Sequence, residues 1–158
     1  MKNIYQYIYV NNGIRMFPVL LFALWAERYQ EGYHGWTFLL GFFIFLAGCY
    51  RGSRGIRNQI RMGTDPLEIR RDFVYAQKFG KVCVGESYLY LWKNMILYVL
   101  PFENIEKIYP LAQVVNEIYD HETVKNKYYY LCIEMRSGQV YKCSMSKGNL
   151  ERCLFAIP

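Results

Sequence analysis

The chain has 158 residues, of which 53% are hydrophobic and 18% aromatic, and carries a formal net charge of +6. These 158 residues leave room for one compact domain and a small membrane element. Lys and Arg outnumber Asp and Glu by seven to two up to Thr64 and by twelve to eleven beyond it. The basic excess therefore belongs to the N-terminal segment and does not describe a nucleic-acid-binding surface.

The first apolar stretch, Met16 to Ala26, is eleven residues long. Extended from Ile14 to Tyr29, it reaches about 21 Å as a helix, with Arg15 and Arg28 snorkelling at its ends and Pro18 near its first turns. Trp25, Tyr29, Tyr33 and Trp36 bracket the next loop, as amphipathic rings do at a lipid boundary. No small-residue cleavage site follows Ala26, so the segment reads as retained rather than removed. The run Tyr33 to Tyr50 has eighteen residues without a formal charge. It would span about 27 Å, close to a hydrocarbon core of about 30 Å. Arg51, Arg54, Arg57 and Arg61 follow. Together these features predict a transmembrane helical hairpin in the cell inner membrane, with both termini cytoplasmic.

Gly41 and Gly48 share one face of the second helix and are read as helix-packing positions, either within the hairpin or between copies of the chain. The four arginines carry two readings: a flank that sets topology, or a contact for anionic lipid. Gly52 and Gly55 among them suggest a pliant backbone.

Beyond the arginines, Thr64 or Asp65 caps an amphipathic helix that starts at Pro66, runs through Ile69, Phe73 and Ala76 on one face, and stops at Gly80. The period then becomes strand-like. Lys81 to Val84 and Tyr88 to Trp92 are strands, and a Lys93-Asn94 turn leads into Met95 to Pro101. Ile105 to Pro110 and Gln113 to Ile118 are two weaker strands. Tyr128 to Arg136 pairs through Ser137-Gly138 with Gln139 to Met145. Leu150, Leu154 and Ile157 mark a closing helix from Lys147.

Chemistry-bearing clusters are sparse. Cys49, Cys83, Cys132, Cys143 and Cys153 are odd in number and widely spaced, and read as reduced core residues rather than metal or redox ligands. The two histidines lie in loops, His34 in the first and His121 within Asp120-His121-Glu122, where a metal site is disfavoured. Tyr128-Tyr129-Tyr130 lacks an interleaved basic face and reads as sheet packing, not as a nucleic-acid platform. No phosphate loop or nucleophile with a base is evident, so neither catalysis nor a cofactor is expected.

The segments Val84-Gly85-Glu86-Ser87-Tyr88-Leu89-Tyr90 and Val99 to Tyr109, the Tyr128 to Met145 hairpin and the terminal helix resemble bacterial pleckstrin-homology-like domains that follow a transmembrane hairpin in small membrane proteins. The resemblance covers residues 65 to 158, with the preceding hairpin matching the same architecture. It implies a seven-stranded, partly open barrel plugged by a C-terminal helix and used for binding or scaffolding.

The expected class is thus α+β: a transmembrane helical hairpin with a basic flank (1–61), a linker helix (62–80) and a pleckstrin-homology-like antiparallel β-barrel or sandwich with a capping helix (81–158). The expected function is that of a non-enzymatic, membrane-anchored binding or scaffolding protein, or of an accessory subunit of a larger membrane complex. Expected partners are membrane lipids and a protein or second copy met through the hairpin, but not nucleic acid.

Overall fold

The structure, a computed structural model, describes residues 3–29, 36–119 and 122–158. The chain forms two compact units: Met1–Arg70 with Asn94–Tyr98, and Arg71–Lys93 with Val99–Pro158.

The helical unit begins with α1 (Ile4–Tyr29), which packs against α2 (Trp36–Gly52). Buried Ile4, Tyr7, Ile8 and Asn12 fall at helical spacing and define the packed side of α1. The polar run Asn11-Asn12-Gly13 therefore lies inside the helix, which starts well before the expected Ile14. α3 (Arg54–Arg61) follows α2 almost without a break. The Ser53 N–H bonds the Cys49 carbonyl and the Arg57 N–H bonds the Ser53 carbonyl, both at 3.1 Å, so the i to i−4 ladder continues through the junction.

The transmembrane hairpin is not supported. Among the described residues, no helix is long and apolar enough to cross a membrane. The two helices fail for opposite reasons. α1 has 26 residues but carries Asn11, Asn12 and Arg15 in its first half, whereas α2 is apolar but has only 17 residues, the last turn containing Arg51. At about 1.5 Å per residue, α2 reaches about 25 Å. The transmembrane assignment, and the inner-membrane location with cytoplasmic termini drawn from it, are therefore corrected. Tyr33 and His34 lie outside the described residues.

α4 (Pro66–Tyr75) starts where the Asp65 carboxylate accepts the Leu67 N–H at 2.9 Å, a side-chain cap on the first turn. It ends five residues before Gly80, because Gln77–Phe79 forms a strand, β1. Gly80 has φ +66° and takes the left-handed position in the turn from β1 into β2 (Val82–Val84). β3 (Tyr88–Lys93) and β4 (Ile96–Pro101) complete an antiparallel sheet in the order β1-β2-β3-β4. The turn between them is Asn94-Met95, with φ +51° and +63°. Two successive positive φ values match the twist of a tight hairpin. The cost for Met95, about 1–2 kcal/mol, is set against its packing in the helical unit, where its Cε lies 3.4 Å from the position a Gly48 Cβ would take.

Pro101 and the short helical turn Phe102–Asn104 end the first sheet. A second sheet follows, in the order β5-β6-β7, made of β5 (Ile105–Tyr119), β6 (Glu122–Met135) and β7 (Val140–Met145). β5 is one long strand, not two. It carries Pro110 opposite Leu131, on a sheet edge where a missing N–H is tolerated. β7 pairs only with Tyr129 to Glu134, so the β5–β6 pair continues past it as a two-stranded ribbon. α5 (Lys147–Ala156) packs on β1, β2 and β6, and Ser146 Oγ caps it by accepting the Asn149 N–H. The seven strands stay in two sheets. Among the described residues no barrel closes, which corrects the barrel expectation: Pro101 and the turn after it break the path from β4 to β5.

The core of the β unit is dense. Leu89, Leu91, Leu131, Ile133 and Cys153 are fully shielded. Each large aliphatic side chain there contributes about 1.5–3 kcal/mol by leaving water.

Candidate functional site

The arginine-bearing end of α2 and α3 is built from close backbone approaches. A Cβ on Gly52 would lie 2.8 Å from Ile8 Cγ2 and 3.2 Å from the Met95 carbonyl oxygen, and one on Gly55 would collide with the Leu97 carbonyl. These glycines serve packing, not the pliancy expected of them. The segment is held firmly, with Ile56 and Gln59 buried on the same side.

Steps of about 100° per residue put Arg54, Arg57 and Arg61 on the opposite side. Arg51, Arg54 and Arg61 are exposed and Arg57 is half-buried. The Arg57 guanidinium lies 3.8 Å from the centre of the Tyr50 ring and donates to Ser53 Oγ. Ser53 Oγ in turn donates to the Tyr50 carbonyl at 3.0 Å. Arg57 is thereby fixed in direction, with its remaining N–H groups available to an oxyanion. Among the described residues, no carboxylate pairs with these four arginines, whereas Lys147 and Glu151 form an ion pair on α5.

Gly41 and Gly48 are both buried. A Cβ on Gly48 would lie 3.8 Å from Asn12 Cγ, so this small position faces α1 of the same chain. Asn12 is fully buried, with Nδ2 3.9 Å from Cys49 Sγ and Oδ1 without a partner. A polar group so placed favours one alignment of α1 and α2 over others, at a cost in stability.

Asp72 on α4 holds the turn between β2 and β3. One carboxylate oxygen accepts the Glu86 and Ser87 N–H groups at 2.8 and 2.7 Å, and the other accepts the Tyr90 hydroxyl at 2.9 Å. A Cβ on Gly85 would collide with that carboxylate, which gives Gly85 its role. Burial, then the Asp72 charge and its hydrogen bond, push the Tyr90 hydroxyl far above its ordinary range. Phe73 meets the Tyr90 ring edge-on at 4.9 Å. In sequence, Asp72 reads as one more charge on an amphipathic helix, and nothing marked it as a clamp.

All five cysteines are free and buried. Burial pushes the Cys143 thiol up, partly opposed by Lys81 and Lys93. Burial, and then the neighbouring Cys143 and Cys83, push Cys153 up to about 12. These thiols are protonated at neutral pH, which leaves them poor nucleophiles. The described residues hold no group of His, Cys, Asp and Glu arranged for a metal; Asp120 and His121 lie outside them.

On the second sheet, basic residues do interleave with tyrosines, contrary to the sequence reading. Lys142 Nζ lies 3.9 Å from the centre of the Tyr130 ring and 3.2 Å from Gln113 Oε1. Lys127 lies over Tyr129 and Lys107 over Tyr109, at 5.6 and 5.4 Å. Each ring is covered by its own lysine, an internal cation–π pair.

Large apolar side chains point outward along both long helices. Ile14, Phe17, Phe22 and Trp25 on α1 and Trp36, Leu40 and Phe43 on α2 are each more than half exposed. Large apolar side chains exposed in such number are a property of association surfaces. No protein family, curated protein or solved structure matches the chain.

Proposed function

We propose that this protein is a non-enzymatic binding and scaffolding subunit. Its α1–α2 pair is the docking element by which it joins a larger assembly, and its β unit is the part presented. The carrying observation is the outward apolar surface of α1, with Ile14, Phe17 and Phe22 at 69%, 59% and 67% exposure. So much apolar area gains free energy when another apolar surface covers it, at about 25 cal/mol per Å².

The geometry of the β unit supports the non-enzymatic reading. Asp72 accepts three hydrogen bonds from its own turn and from Tyr90, and burial holds the thiols of Cys143 and Cys153 protonated.

A photo-crosslinking residue placed at Phe17 or Phe22 on α1 tests it in the producing cells. The expected result is one discrete crosslinked protein species of fixed stoichiometry, absent when the crosslinker stands at exposed Glu103. A diffuse pattern identical at both positions would count against a docking role.

A further inference from the structure

Positions 36, 40, 43, 47, 50, 54, 57 and 61 follow one another at alternating spacings of four and three, which keeps them on one side of a helix. They are Trp36, Leu40, Phe43, Ala47, Tyr50, Arg54, Arg57 and Arg61, all exposed except half-buried Arg57. The helical hydrogen bonds that pass through Ser53 keep this side continuous from α2 into α3. The opposite side is closed by Gly48, Gly52, Ile56 and Gln59, all buried.

The order along the stripe is segregated. Its first part is apolar, then Tyr50 stands at the boundary with Arg57 stacked on its ring, and the remainder is three arginines without a carboxylate partner among the described residues. We infer that this stripe binds anionic phospholipid, with acyl chain along Trp36, Leu40 and Phe43 and the headgroup phosphate at Arg54, Arg57 and Arg61. An acidic protein surface would match the arginines but leave the adjoining apolar part unanswered. A phospholipid carries both chemistries in the same order. Trp36 to Tyr50 covers about 21 Å along the helix axis, more than half of a hydrocarbon core of about 30 Å and less than all of it. The match is thus to lipid lying alongside the helix and requires no helix to cross. Arg57, already oriented by Tyr50 and Ser53, is the residue suited to a bidentate grip on phosphate.

This inference builds on the reading of α1–α2 as the docking element, but it concerns the α2–α3 stripe and not the α1 surface. The test uses the full chain, purified in mild detergent and then diluted onto vesicles of phosphatidylglycerol or of phosphatidylcholine, with flotation as the readout. The unaltered chain is expected to favour the anionic vesicles. Replacing Arg54, Arg57 and Arg61 together by Gln should lower that recruitment by about fivefold per arginine, on the order of a hundredfold in all, and leave recruitment to phosphatidylcholine unchanged. Replacing the same three by Lys should retain most of the preference. Equal recruitment of the unaltered and Gln-substituted chains to phosphatidylglycerol would overturn the inference. So would displacement by excess inorganic phosphate at matched ionic strength, which would assign the arginines to free phosphate. Crosslinks formed from α1 would survive either failure, which separates this inference from the function proposed above.

Discussion

The two units use their apolar residues in opposite ways. In the β unit, Leu89, Leu91, Leu131 and Ile133 face inward and are fully shielded, while in the helical unit Ile14, Phe22, Trp36 and Leu40 face outward at 62–72% exposure. Side chains of the same kind are a core in one place and an unfilled interface in the other. Composition does not distinguish the two uses; only the side of the element on which a residue falls does so.

Substitutions can break or sharpen that contrast. The largest effect is expected from Gly55→Leu, since any side chain there meets the Leu97 carbonyl. A loss of more than about 3 kcal/mol is expected in the helical unit. In hydrogen exchange, α3 and the Asn94-Met95 turn should lose protection while β6 keeps it. Equal loss in β6 would mean that the two units do not hold separately.

Next in size is Leu131→Ala, which hollows the β core and should cost about 3 kcal/mol in urea unfolding. Its counterpart Leu40→Ala should fall within about 0.5 kcal/mol. A large penalty at Leu40 would show that this side of α2 is already covered.

Asp72→Ala should cost about 2 kcal/mol, because the shielded Tyr90 hydroxyl loses its acceptor. Asp72→Asn keeps one carbonyl acceptor and should cost less; if both cost the same, the charge and not the hydrogen bonds holds the turn.

The smallest effect is absent at neutral pH. Cys153 is raised from 9.0 to about 12, so the fold favours its neutral thiol. The associated stability is complete below 9.0 and is lost as pH climbs through about 12. Cys153→Ser should flatten the alkaline limb of a thermal-melt series, and an unchanged limb would remove the thiol as its cause.

The parts of the fold legible in sequence were those where one period runs uninterrupted. Tyr88 to Lys93, Val140 to Met145 and the helix from Lys147 lie within two residues of where their patterns placed them. β1 was hidden because Gln77–Phe79 is only three residues long and adjoins a helical stretch, so Gly80 looked like a helix stop. The early start of α1 was hidden because Asn11-Asn12-Gly13 has the composition of a turn, although Ile4, Tyr7 and Ile8 already carried helical spacing. The membrane-spanning expectation failed because an uncharged run is not the same as a long apolar helix: α2 as described, Trp36–Gly52, has 17 residues and already carries Arg51 in its last turn. The arginines were visible at once. That Gly52 and Gly55 fix them in place depended on Met95 and Leu97, more than thirty residues downstream, which local pattern cannot show.

The grouping of Asn94–Tyr98 with the helices also has a consequence in time. Ribosomes make about 5–20 residues per second, and the helical unit lacks its last piece until the strands from Gln77 to Lys93 have been made. For several seconds α2 and α3 exist without the Met95 and Leu97 backbone against which Gly52 and Gly55 pack. During that interval the inner side of α2 and α3 has the cover of α1 but not that of the Met95 and Leu97 backbone, while their outward apolar side is already exposed, a state that favours association with other chains.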